Sequence, residues 1–463
     1  MSEQLNPTLD IAQYVHRMSF QALPRDAITN VKWLVLDTLG VMFAGSRHEV
    51  GQIISEYVRA ACPTGSVNIA GAEFKTAAEF AALANGVMAH AHDYDGDGHI
   101  PTHTMSAALA LAGARGASGA RFITAYVVGR EICARLMECS GTFHAFAPGG
   151  PGPRNRGWHS VGVDGSIGAT AAAAKILDLD PQAICHAFGI GASLSAGLWA
   201  NRGSMTKPMH AGNAARNGVL ASTLASMNFS ADSAIFTATG GFAEAYDLPP
   251  GCITAAAEKL RNHMQIAERV VSFKRYPCVS PAHRYIETMR LLRDRYGLTP
   301  ENVQSIECTP SRSLRCPYPK TDLESKFSAD FSLVATLIDG EVNLANSTNS
   351  FLKRSDVQSL LGKTVYVEKP PGYEANHADG FIRVKTVGGE VYKEDITRDK
   401  RELTSYEEIQ AKFYDCAVPV IGEEQARRID SLVCKLEELE STSRLTELLR
   451  PGAISADPVQ HGS

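Results

Sequence analysis

FIRVKTVGGEVYKED, residues 381–395, alternates apolar and polar side chains on both sides of Gly388-Gly389. That is the pattern of an antiparallel hairpin with one buried face and a tight turn. TVYVEKP at 364–370 alternates in the same way, VQSIECTPS at 303–311 is another strand candidate, and VVSFKRYPC at 270–278 is a short β-like run. Helical periodicity over 281–296 and 328–339 is interleaved with these strands. Residues 268–400 therefore read as a small α/β (α+β) domain.

On either side the period changes to that of helices. The segment 24–45 places Ile28, Val31, Val35, Leu39 and Met42 at three- and four-residue spacing, and Leu23-Pro24 opens it. Further helices are expected at 8–20, 76–92, 105–115, 119–139, 163–177, 181–197, 211–228 and 231–238, then at 404–415 and 422–440. Small-residue surfaces such as AALANGVMAHAH (81–92) and GATAAAAKIL (168–177) let helices approach closely, as a bundle requires. The expectation is a mainly α protein, with one discontinuous all-helical domain, 1–267 plus 401–450, and the α/β unit inserted as a lid. Residues 451–463 are expected to be a disordered tail.

A chain of 463 residues with 44% hydrophobic and 21% charged residues is an ordinary globular composition, long enough for more than one domain. A net charge of −5 gives no reason to expect nucleic acid or an anionic membrane as partner. No run reaches the roughly 18 uninterrupted apolar residues of a membrane span, and the N-terminus lacks a signal-peptide pattern. Ten cysteines without a CxxC pair read as reduced thiols. The expected location is cytoplasmic, with a mitochondrial one left open for a eukaryotic source.

Titratable groups are densest in HAHDYDGDGHIPTHT, residues 90–104. Asp93-x-Asp95-x-Asp97-Gly98 reproduces the opening of a calcium-binding loop, but its twelfth position is Thr104 where a bidentate Glu belongs. His99 and His103 have the spacing of a zinc pair, but Pro101 between them argues against the helical geometry it needs. No metal or other cofactor is expected. GGPGPRNRGWH (149–159) lacks the strand and the GxxxxGK[ST] of a phosphate cradle and reads as a site wall ending at His159. In MTKPMHAGNAARNG (205–218), Pro208 marks a helix start that would aim N–H groups beside Lys207 and His210 at an anion.

Five segments in order resemble the MmgE/PrpD family: LPRDAITNVKWLVLDTLGVMFAG (23–45), the turn 90–104, MTKPMHAGNAARNGVLAS (205–222), SFKRYPCVSPAH (272–283) and KFSADFSLVATLIDGEV (326–342). The resemblance implies a helical domain with an α/β lid, a homodimer, and chemistry on di- or tricarboxylates. Family activities include 2-methylcitrate dehydration, cis-aconitate decarboxylation and iminodisuccinate epimerisation. It also implies active-site positions at Asp93 and His103, with matching residues at His159, Lys207 and Lys274. Where the family usually has Asp-Asp-Thr, this chain has Asp95-Gly96-Asp97, which bears on the choice of substrate.

These reactions place developing negative charge beside a carboxylate and move a proton at that carbon. Histidine, with an ordinary pKa near 6.5, suits the proton step, and lysine, near 10.4, suits anion holding. The expected catalytic set is His103, Asp93, His159 and Lys207. Lys274, Asp97, His210, Tyr276 and Tyr318 are expected to bind substrate, with Lys326 a weaker candidate. The expected function is a metal-independent dehydratase- or decarboxylase-like lyase on a small polycarboxylate. The alternatives are an epimerase of a dicarboxylate and a non-catalytic, calcium-linked binding protein.

Overall fold

The computed structural model describes residues 6–141, 153–311, 314, 316–368, 380–397 and 399–453. The first half is a stack of helices: α1 (Pro7–Arg17), α2 (Arg25–Arg47), α3 (Glu49–Ala61), α4 (Ala78–His90), α5 (Ile100–Arg115), α6 (Gly119–Cys139), α7 (Ser160–Leu177), α8 (Pro181–Leu194) and α9 (Thr206–Ser226). Between α3 and α4 lies a two-stranded ribbon of β1 (Val67–Asn68) and β2 (Lys75–Thr76). Helix α10 (Cys252–Asn262) follows α9 after a turn-rich stretch.

Small residues set the spacing of this stack. A Cβ on Gly86 of α4 would lie 2.8 Å from the Cα of Gly212 on α9, and one on Gly218 of α9 would lie 2.4 Å from the carbonyl carbon of Ala169 on α7. The backbones therefore approach to a distance at which only glycine fits, which the Ala-Gly surfaces anticipated. Helix α2 is long and apolar enough to cross a membrane, yet 72% of its apolar window is buried inside the protein. Leu34, Leu39 and Phe43 on α2 share a core with Phe413, Ile429 and Val433 from the C-terminal segment. Full burial of each such side chain contributes about 1.5–3 kcal/mol.

A second core is built by α11 (Ser280–Tyr296), β3 (Val303–Cys308), α12 (Ala329–Asp339), β4 (Thr364–Tyr366), β5 (Phe381–Thr386) and β6 (Val391–Asp395), with Ile286, Ile306, Val334 and Val384 at its centre. The sheet order is β4-β3-β5-β6. β3 and β4 are parallel, joined by a crossover that carries α12, and β5 and β6 form the antiparallel hairpin that Gly388-Gly389 announced. Helices α13 (Tyr406–Ile421) and α14 (Glu423–Cys434) then return to the helical stack.

Three local expectations are corrected. Residues 231–238 are turns rather than a helix, and α3 was not anticipated. The run 270–278 is not a strand. Its carbonyls are used elsewhere: Ser272 accepts from the Asp97 N–H, Phe273 from the Leu403 N–H, and Lys274 from the Lys412 ammonium. With those groups committed to the helical domain, the segment has no sheet to join. The tail expected to be disordered lies, from residue 454 on, outside the described residues, as do residues 149–152 of the expected site wall.

Candidate active site

The turn between α4 and α5 is held in an uncommon backbone. Asp93, Asp97 and His99 have φ of 52°, 45° and 74°, in the left-handed region that aspartate tolerates better than most residues. Such conformations cluster at functional sites because the surrounding structure must hold them. Gly96 sits where the segment 271–274 crosses the turn, and a Cβ there would lie 2.3 Å from the Ser272 carbonyl oxygen. The family carboxylate missing at this position is thus excluded by contact.

Asp93 lies at the centre, only 2% exposed. The Lys207 ammonium, at the N-terminus of α9, donates to its Oδ2 at 2.5 Å, and the Lys274 ammonium donates to Oδ1 and to the Asp93 carbonyl. Burial alone would raise the Asp93 carboxyl, but Lys207 and Lys274 outweigh it and hold the group well below the usual range. Burial likewise lowers Lys207, whereas Lys274, with Asp93 and Asp95 nearby, is raised despite its burial. A third lysine, Lys326, donates to the Ala91 carbonyl at 3.0 Å and lies 3.4 Å from Asp322 Oδ2. Three cations from three segments thus gather around the turn.

Lys207 also donates to His90 Nε2 at 2.7 Å. His90 Nδ1 faces Asp95 Oδ1 at 2.9 Å, and His99 Nδ1 faces Asp95 Oδ2 at 2.6 Å. Burial and the neighbouring Lys207 push His90 down to about 4, so the ring is neutral at pH 7. His90, Asp95 and His99 bring one donor atom each within 4.8 Å of one another, enough to suggest a cation site. The chemistry fits poorly, since both Asp95 oxygens already accept from the rings and the other nitrogen of His90 faces an ammonium. Nor do the three aspartates of the calcium-loop pattern converge. Asp93 faces lysines, Asp95 faces histidines, and Asp97 pairs with Arg130 of α6 through two bonds of 3.1 and 2.9 Å.

His103 is buried on α5, with Nδ1 2.9 Å from Thr104 Oγ1 and its ring against Gly165 of α7, where a Cβ would lie 2.9 Å from Nε2. Burial, with smaller contributions from His90 and His99, pushes it down to about 3. His159 precedes α7 and shares a 2.9 Å bond between Nδ1 atoms with His210 of α9. Burial and Lys207 depress both rings, His210 to about 4.

Asp93, His103, His159, Lys207, His210 and Lys274 therefore lie in one electrostatic neighbourhood, and three other candidates do not join it by contact. Asp97 is committed to Arg130. Tyr276 is buried in the α/β core with its hydroxyl on Glu287. The Tyr318 hydroxyl donates to the Thr364 carbonyl at 3.1 Å. In each case a nearer polar partner satisfies the group that substrate binding would have needed.

Sequence reasoning placed Asp95 only in the calcium-loop pattern and the Asp-Gly-Asp departure, and assigned no role to His90, Asp37 or Lys412. Lys412 of α13 donates to the carbonyls of Tyr94 (2.8 Å) and Lys274 (3.0 Å) and pairs with Asp37. A signal for Asp37 was present: a lone carboxylate inside the apolar run LVLDTLG must be buried, and a buried charge needs a partner.

Comparison with known proteins agrees with this architecture. The MmgE/PrpD N-terminal domain model matches residues 9–250, and the MmgE/PrpD C-terminal domain model matches residues 276–438. The chain belongs to the MmgE/PrpD family. Among its MmgE/PrpD relatives, cis-aconitate decarboxylase of Mus musculus is 27% identical, aligned over 96% of this chain and 94% of the relative. The Homo sapiens cis-aconitate decarboxylase is 26% identical over 98% of each chain, and that of Aspergillus terreus is 25% identical over 96% and 95%.

Proposed function

We propose that this protein is a metal-independent carboxy-lyase that removes CO2 from cis-aconitate or a closely similar tricarboxylate. The observation that carries the reading is the pairing of Lys207 and Lys274 on the single carboxylate of Asp93, with Lys326 beside them. Each ammonium has three donors and spends two, Lys207 on Asp93 and His90 and Lys274 on the carboxylate and carbonyl of Asp93, so each keeps one N–H for a substrate carboxylate. The full-length similarity to cis-aconitate decarboxylases supports the choice of substrate.

The chemistry follows from the charges. The electrons of the breaking C–C bond move toward the alkene and shift the double bond, and its far carbon takes one proton as CO2 leaves. Lys207 and Lys274 hold the carboxylates that stay. His103 is neutral in the empty site, and the entry of three carboxylates favours its protonated form, making it the acid that delivers the proton. His159 stands ready on the α7 side.

The test is NMR of cis-aconitate incubated with the enzyme in D2O, with and without EDTA. One deuterium in the product, CO2 release and indifference to EDTA are expected. Exchange without CO2 release would move the reading to an isomerase, water loss from citrate-like acids to a dehydratase, and loss of activity with EDTA to a metal enzyme. His103→Ala should lower kcat by roughly 10²–10⁴-fold.

A further inference from the structure

We propose that His90 and Asp95 form a positioning pair for Lys207, in which Asp95 fixes the ring tautomer so that bare Nε2 takes one N–H of the ammonium and leaves another for substrate. This rests on the reading of Lys207 as a cation that holds a substrate carboxylate.

The bonds dictate the assignment. An ammonium has three donors and no acceptor. One Lys207 donor goes to Asp93 Oδ2 at 2.5 Å and one to His90 Nε2 at 2.7 Å. His90 can accept there only if its proton is on Nδ1, and Nδ1 is 2.9 Å from Asp95 Oδ1. Ionised Asp95 can only accept, so it selects that tautomer. The His99 contact at 2.6 Å occupies its second oxygen and stops the carboxylate from rotating away. The side chains of His90 and Asp95 are both fully buried, so water does not substitute for either bond. With two donors fixed, the ammonium cannot spin, and its third N–H has one direction. The arrangement follows the logic of an acid that orients a histidine that in turn orients the working group.

The charges that face Lys207 set the expected pH behaviour. Asp93 and Asp95 favour its charged form and Lys274 and Lys326 oppose it, while burial and Lys207 itself hold the neighbouring rings of His90, His159 and His210 uncharged. Asp95→Asn removes a negative charge whichever way the amide turns. Lys207 then loses its proton more easily, and the basic limb of the kcat/KM profile should move to lower pH.

Two amide variants separate positioning from packing. In His90→Gln the amide oxygen can replace Nε2 as the acceptor for Lys207, whereas in His90→Asn the amide reaches only toward Asp95. KM should rise by roughly 10- to 100-fold in His90→Asn, the worth of one charge-assisted bond, and by only a few-fold in His90→Gln. Equal effects in the two variants, or an unmoved basic limb in Asp95→Asn, would overturn the proposal. A third arm needs neither substrate nor variant. The ¹⁵N spectrum of the wild-type protein at pH 7 should show His90 protonated at Nδ1 and bare at Nε2, and the reverse tautomer would overturn the pair. Wild-type enzyme that releases no CO2 from cis-aconitate would instead count against the functional reading, with the ¹⁵N spectrum still deciding the pair.

Discussion

Asp37 of α2 and Lys412 of α13 meet in a buried ion pair of 2.6 Å that ties the first part of the helical stack to the last. Burial raises the Asp37 carboxyl, and Lys412 works against that rise. Because Lys412 also donates to the carbonyls of Tyr94 and Lys274, it fixes the backbone on which Asp93 and Lys274 meet. Lys412→Met leaves a carboxylate alone in the core. It should cost about 3–5 kcal/mol in denaturant unfolding. Double substitution with Asp37→Leu should recover much of that stability while KM stays raised, because the two carbonyls remain unclamped. Recovery of both stability and KM would show that Lys412 only neutralises Asp37.

Gly165 and His103 make a second close pair, one on which the proposed proton step depends. The 2.9 Å clearance from a Cβ to the ring leaves no room for alanine unless the imidazole shifts. Gly165→Ala should destabilise the protein by about 1–3 kcal/mol, as overpacking does. It should also lower kcat by roughly 10²-fold, because the proton donor is displaced by a fraction of an ångström or more. A variant with normal kcat would mean that the position of His103 is not critical to the proton step.

How much of this was legible in the sequence depends on how local the cause was. The hairpin at 381–395 was legible because alternation and a Gly-Gly turn are properties of neighbours. The turn 90–104 was legible as a candidate site by its density of titratable groups, and the family resemblance pointed to Lys207 and Lys274, which the structure brings onto Asp93 of that turn. The partners of individual carboxylates were not legible. Asp93, Asp95 and Asp97 look equivalent in the chain, yet backbone turns with φ of 52° and 45° send them to lysines, histidines and an arginine. The segment 270–278 failed for a related reason: its β-like composition is real, but its carbonyls are bonded by Asp97, Leu403 and Lys412, which are far away in sequence.

The partner of Asp97 reverses an expectation about specificity. A free carboxylate there would repel a tricarboxylate, but both oxygens of this one are taken up by Arg130, at 3.1 and 2.9 Å. Asp97→Thr should therefore leave the ratios of kcat/KM across citrate-like and aconitate-like acids within about twofold of wild type. The cost should appear instead in stability, at about 2 kcal/mol or more, from a buried guanidinium that loses two bonds. A changed substrate ratio in a variant of unchanged stability would return Asp97 to the substrate side.

Asp164 on α7 gives a pH test that is independent of catalysis. It is 1% exposed, accepts a bond from Ser140 at 2.9 Å, and its other oxygen is buried without a hydrogen-bond partner among the described residues. Burial raises its carboxyl to about 7, only partly countered by Ser140. The unfolded chain titrates near 3.9. Between these values the folded state holds a proton that the unfolded state has released, so stability falls as pH rises. The contribution is fully present below about pH 4 and lost by about pH 7, a swing on the order of 4 kcal/mol. Asp164→Asn has no proton to lose and keeps the Ser140 contact. Its stability, followed by denaturant unfolding from pH 4 to pH 8, should show a smaller decline than wild type. It should exceed the wild-type value most at pH 8, and the gap should close toward pH 4. Parallel curves for the two proteins would mean that Asp164 is ionised throughout that range and that another cation, reached by rearrangement of the core, is balancing it.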